Sequence, residues 1–264
     1  MSLLCVFAVC FSACIAGAIC GIGGGVIIKP VLDALGILDV ASISFLSGCT
    51  VLSMTAYSVL RSRLNGSSHV DRRTGVPLAL GASMGGVIGK ELFQSILTAS
   101  PDANMAGAVQ AGCLLLVTAG TLLYVIRKDN ISTHTVKNRA ACAAIGLALG
   151  LLSAFLGIGG GPVNLVVLFF FFSMDTKTAA ENSLYIILYS QTASLAASLI
   201  TRTVPACSAG MLCLMVSGGI CGGICGRYVN RRLSTHAVDR LFLGLMSLMI
   251  LLSLYNLDRF LHPA

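Results

Sequence analysis

A five-residue string, Gly21-Ile22-Gly23-Gly24-Gly25, interrupts an apolar run near the start of the chain and returns 136 positions later as Gly157-Ile158-Gly159-Gly160-Gly161. Each glycine costs a helix roughly 1 kcal/mol relative to alanine. Four in five residues, twice, therefore place non-helical backbone inside segments that otherwise read as membrane helix. At membrane depth such backbone is tolerated only where it is buried in protein or lines a cavity. Any fold for this chain has to provide that setting twice.

The apolar runs span about 18 to 23 residues, which matches the roughly 20 that a helix needs to cross the hydrocarbon core. With 56% hydrophobic and 10% charged residues, the chain reads as an all-α polytopic membrane protein. The alternating ten-residue segments of a transmembrane barrel are absent. No loop is long enough for a soluble catalytic domain, so the chain is not read as an enzyme and its membrane part carries the function. The net charge of +7 lies in short clusters between apolar runs. That is the distribution of the positive-inside rule and gives no nucleic-acid-binding face. The first 20 residues lack a basic leading region and apolar sequence resumes after the glycines, which argues against a cleaved signal peptide.

Residues 3–20 predict a first helix. Residues 25–38 predict a second piece about 21 Å long, too short to cross, and spans follow at 42–60, 75–92 and 104–126. The second half repeats the plan with 140–156, 161–173, and spans near 179–200, 204–226 and 238–256. A second motif pair, Gly85-Gly86-Val87-Ile88-Gly89-Lys90 and Gly222-Gly223-Ile224-Cys225-Gly226-Arg227, recurs at an offset of 137. Two pairs in nearly one register indicate duplication, with 1–130 and 131–264 as two repeats of one membrane domain. If each glycine-broken segment is a re-entrant hairpin, three spans follow it in each half and the repeats are inverted. The clusters in 61–73, 127–139, Lys177 and 227–240 then share one side, which holds 13 of the 17 Lys and Arg residues. Lys90, Arg202 and Arg259 fall on the other side, and Lys29 lies within the membrane. If each broken segment crosses instead, the halves are parallel and at least five basic residues are misplaced. Inversion is the expectation, with loops 61–73, 127–139 and 227–240 cytoplasmic in an inner (plasma) membrane.

The physics of the glycine breaks favours an anion. A helix that starts within the membrane presents unpaired N–H groups and the positive end of its dipole, and two such starts related by pseudo-symmetry can converge on one anion. The competing reading is tight packing alone. The candidate substrate-binding residues are Gly23, Gly24, Gly25, Gly159, Gly160 and Gly161. Lys29 joins them as a counter-charge one turn into its half-helix, where a lysine needs an anion, a partner or water. Asn164 occupies the same neighbourhood in the second half, while Ser44, Asn182 and Ser183 open their spans. Carboxylates beside low-dielectric cavities bind protons more readily than those in water, which makes Glu181 the candidate for proton coupling. The duller alternative is a carboxylate stabilised at a helix start.

Nearly all of the eleven cysteines fall in apolar runs, where Cys acts as a small hydrophobe. Cys221 and Cys225 share a helical face but have no His or carboxylate near them in sequence. The four histidines, His69, His134, His236 and His262, show no metal-ligand spacing. No metal site and no cofactor is expected, and the glycines lack the Gly-Lys-Ser/Thr of a nucleotide-binding loop.

Gly-x-Gly-Gly-Gly with Pro30 shortly after, its second copy followed by Pro162, and Gly-Gly-x-x-Gly-(Lys/Arg) two spans later together resemble the sulfite exporter TauE/SafE family of membrane transporters. The resemblance runs over nearly the whole chain. It implies transport of a small sulfur-containing anion such as sulfite, thiosulfate or a sulfonate. One departure is that Pro162 directly follows its glycines, whereas Pro30 comes five residues after Gly25. The resulting expectation is a secondary transporter that works by alternating access in the lipid bilayer, driven by a proton or anion gradient, with a homo-oligomer allowed. The alternatives are a passive anion channel or pore, and an intramembrane thiol protein.

Overall fold

A computed structural model of the chain describes residues 3–64, 72–99, 103–128 and 131–262. His69, Asp102 and parts of the 61–73 and 127–139 loops lie outside the described residues. The described residues form helices and no strands: α1 Leu3–Cys20, α2 Gly25–Leu35, α3 Val40–Leu64, α4 Arg72–Ala99, α5 Ala103–Arg127, α6 Arg139–Phe155, α7 Pro162–Phe172, α8 Thr176–Ile200, α9 Ala209–Asn230 and α10 Thr235–Leu261. Six of them, α1, α3, α5, α8, α9 and α10, are long and apolar enough to cross a membrane. With its outward-facing Leu116, Ile200 and Leu251 largely exposed, the protein is a polytopic helical membrane protein.

Sequence boundaries shift where a local signal intervenes. α2 stops at Leu35 rather than near residue 38, because Gly36 turns left-handed (φ 60°) and its N–H caps the carbonyls of Leu32 and Asp33. α7 stops in the same way at Ser173, with φ 50°. α9 begins five residues later than the expected 204, after a non-helical stretch that includes Pro205. α4 is long but too polar to count among the six, since it carries Arg72, Arg73, Lys90 and Glu91.

Glycine on α4 serves packing. A Cβ on Gly81, Gly85 or Gly89 would fall 2.0, 2.0 or 2.3 Å from the carbonyl oxygens of Ala143, Leu147 and Leu151 on α6. On α9, Gly218, Gly222 and Gly226 meet the carbonyls of Phe7, Phe11 and Ile15 on α1 in the same manner, at 3.2, 2.4 and 2.5 Å. Small residues let helix backbones approach this closely in lipid, where van der Waals packing drives association. Both series ascend together, so α4 runs alongside α6 and α9 alongside α1 in the same direction. α3 and α8 pack against each other at the centre, with α5 against α10 outside.

Both broken segments fold back. Gly24 lies against Cys14, where a Cβ would come within 2.5 Å of the Cys14 sulfur. Ile27 and Val31 of α2 share a groove with Ala8, Val9 and Ala13 of α1. α7 returns likewise, since Phe170 and Phe171 accept backbone hydrogen bonds from His134 and Val136, just before α6 begins. Ion pairs and caps gather the remaining ends. Lys128 at the end of α5 pairs with Asp239 at the start of α10 at 2.8 Å, and Arg227 at the end of α9 donates to the Ser58 carbonyl near the end of α3. At the opposite end of the bundle, Arg259 of α10 donates to the carbonyls of Asp33 and Ala34 at the close of α2, at 2.6 and 2.8 Å.

Candidate functional site

The two glycine turns touch inside the bundle, with every residue from Gly17 to Pro30 buried. A Cβ on Gly25 would sit 2.0 Å from the Ile158 carbonyl oxygen, and one on Gly160 would sit 3.2 Å from that of Ile22. Val51 of α3 and Ile187 of α8 close the crossing from two sides, Val51 against Gly159 and Ile187 against Gly23. Glycine is required here on conformational grounds as well, since Gly23 and Gly159 have φ of 75° and 68°, a left-handed geometry that only glycine adopts freely. α2 and α7 both start at this crossing, and no side chain caps either N-terminus.

Two polar side chains reach the second turn. The Ser44 hydroxyl lies where a Cβ on Gly157 would come within 2.5 Å, and the Lys29 stem approaches the same point, with Cδ at 3.5 Å. The Ser44 hydroxyl is buried without a hydrogen-bond partner, as are the amide oxygen and nitrogen of Asn164 on α7 and the Asn182 amide oxygen and Ser183 hydroxyl on α8. Buried polar atoms in native structures nearly always find a partner, so each of these atoms is open to one. Lys29 already has one: its ammonium is ion-paired with Asp33 one turn on, at 2.8 Å, with both side chains almost fully buried. Of the anion, partner or water that a lysine needs at this depth, the structure supplies a partner, and the spacing of four on one helix was the signal for Asp33.

A cavity of about 590 Å³ opens beside the crossing, toward the bundle end where α3 and α9 finish and α8 begins. Ala18 and Ala180 form part of its wall, and a Cβ on Gly21 would land 2.3 Å from the Ala180 Cα, so Ala180 stands between the cavity and the first turn. Lys177, Arg227 and Arg231 face Asp175 and Glu181 across it, which leaves one more positive than negative charge. Asp175 caps α8. Partial burial works to raise its carboxyl, but hydrogen bonds from the Thr178 side chain and from the amides of Thr178 and Lys177 outweigh this and hold it below the ordinary carboxylate range.

The model of the sulfite exporter TauE/SafE family matches residues 6–253 of this chain. The chain belongs to that family. TauE/SafE proteins are membrane transporters of sulfur anions rather than enzymes, so a small-anion substrate and a bilayer setting follow from membership. No curated protein and no solved structure matches the chain.

Within this TauE/SafE protein, the expected residues divide into two groups. Gly23 to Gly25, Gly159 to Gly161, Ser44 and the Lys29 stem come together at the crossing, and Asn164 lies in the first turn of α7, with its N–H bonded to the Gly161 carbonyl. Glu181 instead lines the cavity. Asn182 follows it, its side-chain N–H₂ donating to the Thr178 carbonyl at 2.9 Å. Arg227 and Lys177 were read in the sequence as loop charges, and Ser58 and Asn230 lie at span ends, so none of the four had a site role. The only pointer was the Gly-Gly-x-x-Gly-Arg motif that ends on Arg227. Gln110, buried within α5, donates its amide to the Phe155 carbonyl at 2.6 Å and ties α5 to the end of α6. None of the eleven cysteines forms a disulfide, and among the described residues no three His, Cys, Asp or Glu side chains gather as a metal site would require.

Proposed function

We propose that this chain is a secondary transporter of a small sulfur-containing anion, such as sulfite, thiosulfate or a sulfonate. In this reading the anion enters by the Lys177–Arg227–Arg231 cavity and binds where the uncapped N-termini of α2 and α7 converge. The meeting of the two glycine turns carries the proposal. It brings two half-helix starts, each with the positive end of a dipole, into one buried place beside the unpartnered Ser44 hydroxyl, with the unpartnered Asn164 amide in the first turn of α7. Inverted repeats at 1–130 and 131–264 fit the same reading, because both broken segments return toward their starting ends and three long helices follow each. The net positive cavity would concentrate anions at the entrance. The basic end of the bundle faces the cytoplasm of a plasma membrane in this account, and Glu181 is the proton-coupling group. A passive pore is the weaker reading, since a close-packed crossing leaves no continuous path.

Thermal unfolding of the purified protein with sulfite, thiosulfate, sulfate and organic sulfonates tests the binding claim, because a ligand of the native state raises apparent stability. A shift with a subset of these anions, which in Arg227→Met needs about tenfold more anion, is the expected result. Equal behaviour with every anion and with chloride would count against a dedicated site.

A further inference from the structure

The duplication gives every residue of the cavity a counterpart at the other end of the bundle. The contacts fix the register, since Gly89 meets Leu151 as Gly226 meets Ile15. Asp39 caps α3, accepting from the Ser42 amide at 2.7 Å, as Asp175 caps α8. In this register Arg227 corresponds to Lys90, Asn230 to Phe93, Glu181 to Phe45 and Thr178 to Ser42. The counterpart site is shut. Arg227, Asn230, Glu181 and Thr178 are half-buried, whereas Phe93 is 1% exposed, Phe45 8%, Ser42 1% and Lys90 8%, and the Lys90 ammonium lies over the Phe93 ring, 5.6 Å from its centroid. A lysine is buried where the open cavity has an arginine at its wall, and two aromatic rings fill the places of a carboxylate and an amide.

We propose that Lys90 is the anion-receiving cation of a second cavity, closed here by Phe93 and Phe45, which opens to the opposite face when the first one shuts. The inference rests on the transport reading and deepens it by assigning one cation to each face. Burying a lysine under an aromatic ring is affordable through cation–π attraction. Its use is to keep a positive charge ready for an anion released from the crossing. Cys49 and the exposed Glu91 are the ionisable groups whose charge bears on Lys90.

Sulfite flux in oriented proteoliposomes, measured from each face separately, tests the assignment. Losing one charge-assisted hydrogen bond weakens anion binding about tenfold or more. Lys90→Met should therefore raise the half-saturating sulfite concentration on the Lys90 face by that factor and leave the other face nearly unchanged. Arg227→Met should give the mirror image, and Lys90→Arg should restore the first face. Equal effects on both faces, or none, would overturn the proposal. A second measurement needs no substrate. In a cysteine-free background, Thr178→Cys, half-buried on the cavity wall, should react quickly with an impermeant maleimide from its face and Ser42→Cys slowly from the other, with Phe93→Asn removing the difference. Fast labelling of Ser42→Cys without the Phe93 change would show that no gate is there, even if transport holds. Absence of any sulfite, thiosulfate or sulfonate flux in the unaltered protein, with the labelling contrast intact, would remove the transport reading and leave the closed counterpart cavity standing.

Discussion

Gly25→Ala isolates the crossing from every other feature of the fold. Gly25 is the first residue of α2 and has a φ that any residue tolerates, so the substitution acts through space alone. The added methyl would sit 2.0 Å from the Ile158 carbonyl oxygen, 2.7 Å from its carbon and 2.8 Å from a Val51 methyl. Restoring an ordinary non-bonded distance requires the two turns to part by about 1.5 Å. Overpacking of this kind costs about 1–3 kcal/mol, and here the obstacle is backbone, which yields less easily than a side chain. Its pseudo-symmetric partner provides the contrast. A Cβ on Gly161 meets only the Ile158 Cδ1 at 3.3 Å, and its extended backbone (φ −167°) suits an alanine before proline. The assay is thermal unfolding with and without sulfite. Gly25→Ala should unfold at a lower temperature and lose the sulfite-dependent rise, while Gly161→Ala keeps most of both. Gly25→Ala with an unchanged melting temperature and an unchanged sulfite response would refute the contact between the turns.

Lys29→Ala or Asp33→Ala alone leaves a buried charge unpaired and should destabilise by about 3–5 kcal/mol, whereas Lys29→Met with Asp33→Leu should recover most of the stability in the same melt. If that double variant still binds sulfite with full affinity, Lys29 is structural only. Gly120→Ala and Gly244→Ala, with nothing within 4 Å of the new methyl, should leave transport unchanged and gain up to about 1 kcal/mol of helix propensity. Because the Asp175 carboxyl sits below its ordinary value, its cap contributes stability that is complete above about pH 4 and is lost as the pH falls further. Melts from pH 6 to pH 3 should therefore show a smaller acid-induced drop for Asp175→Asn than for the unaltered chain.

Repetition made much of the fold legible. The glycine strings and the Gly-Gly-x-x-Gly motifs are local signals, and the contacts they make, backbone against carbonyl on α1 and α6, are those that the absence of a side chain permits. Helix ends were less legible, because Gly36 and Ser173 stop α2 and α7 through a left-handed residue that apolar patterning does not register. Arg227 read as part of a basic loop from 227 to 240, yet α9 continues through Asn230, which puts the arginine on a cavity wall. The cavity itself draws Ser58, Glu181 and Arg227 from three helices far apart in sequence, a grouping that only the packing of α3, α8 and α9 creates. Lys29 illustrates a different limit. Its partner was visible four residues away, but whether a lysine and an aspartate on one helix pair or point apart depends on what surrounds them, and here both are enclosed.

The central claim is that a small sulfur anion crosses the membrane at the meeting of the two glycine turns. Labelled sulfite uptake into proteoliposomes containing the purified protein measures it most directly. The account predicts saturable, gradient-dependent uptake that competes with thiosulfate or sulfonates and is lost in Gly25→Ala but kept in Gly161→Ala. Uptake that rises linearly with sulfite concentration, or that survives Gly25→Ala undiminished, would contradict it.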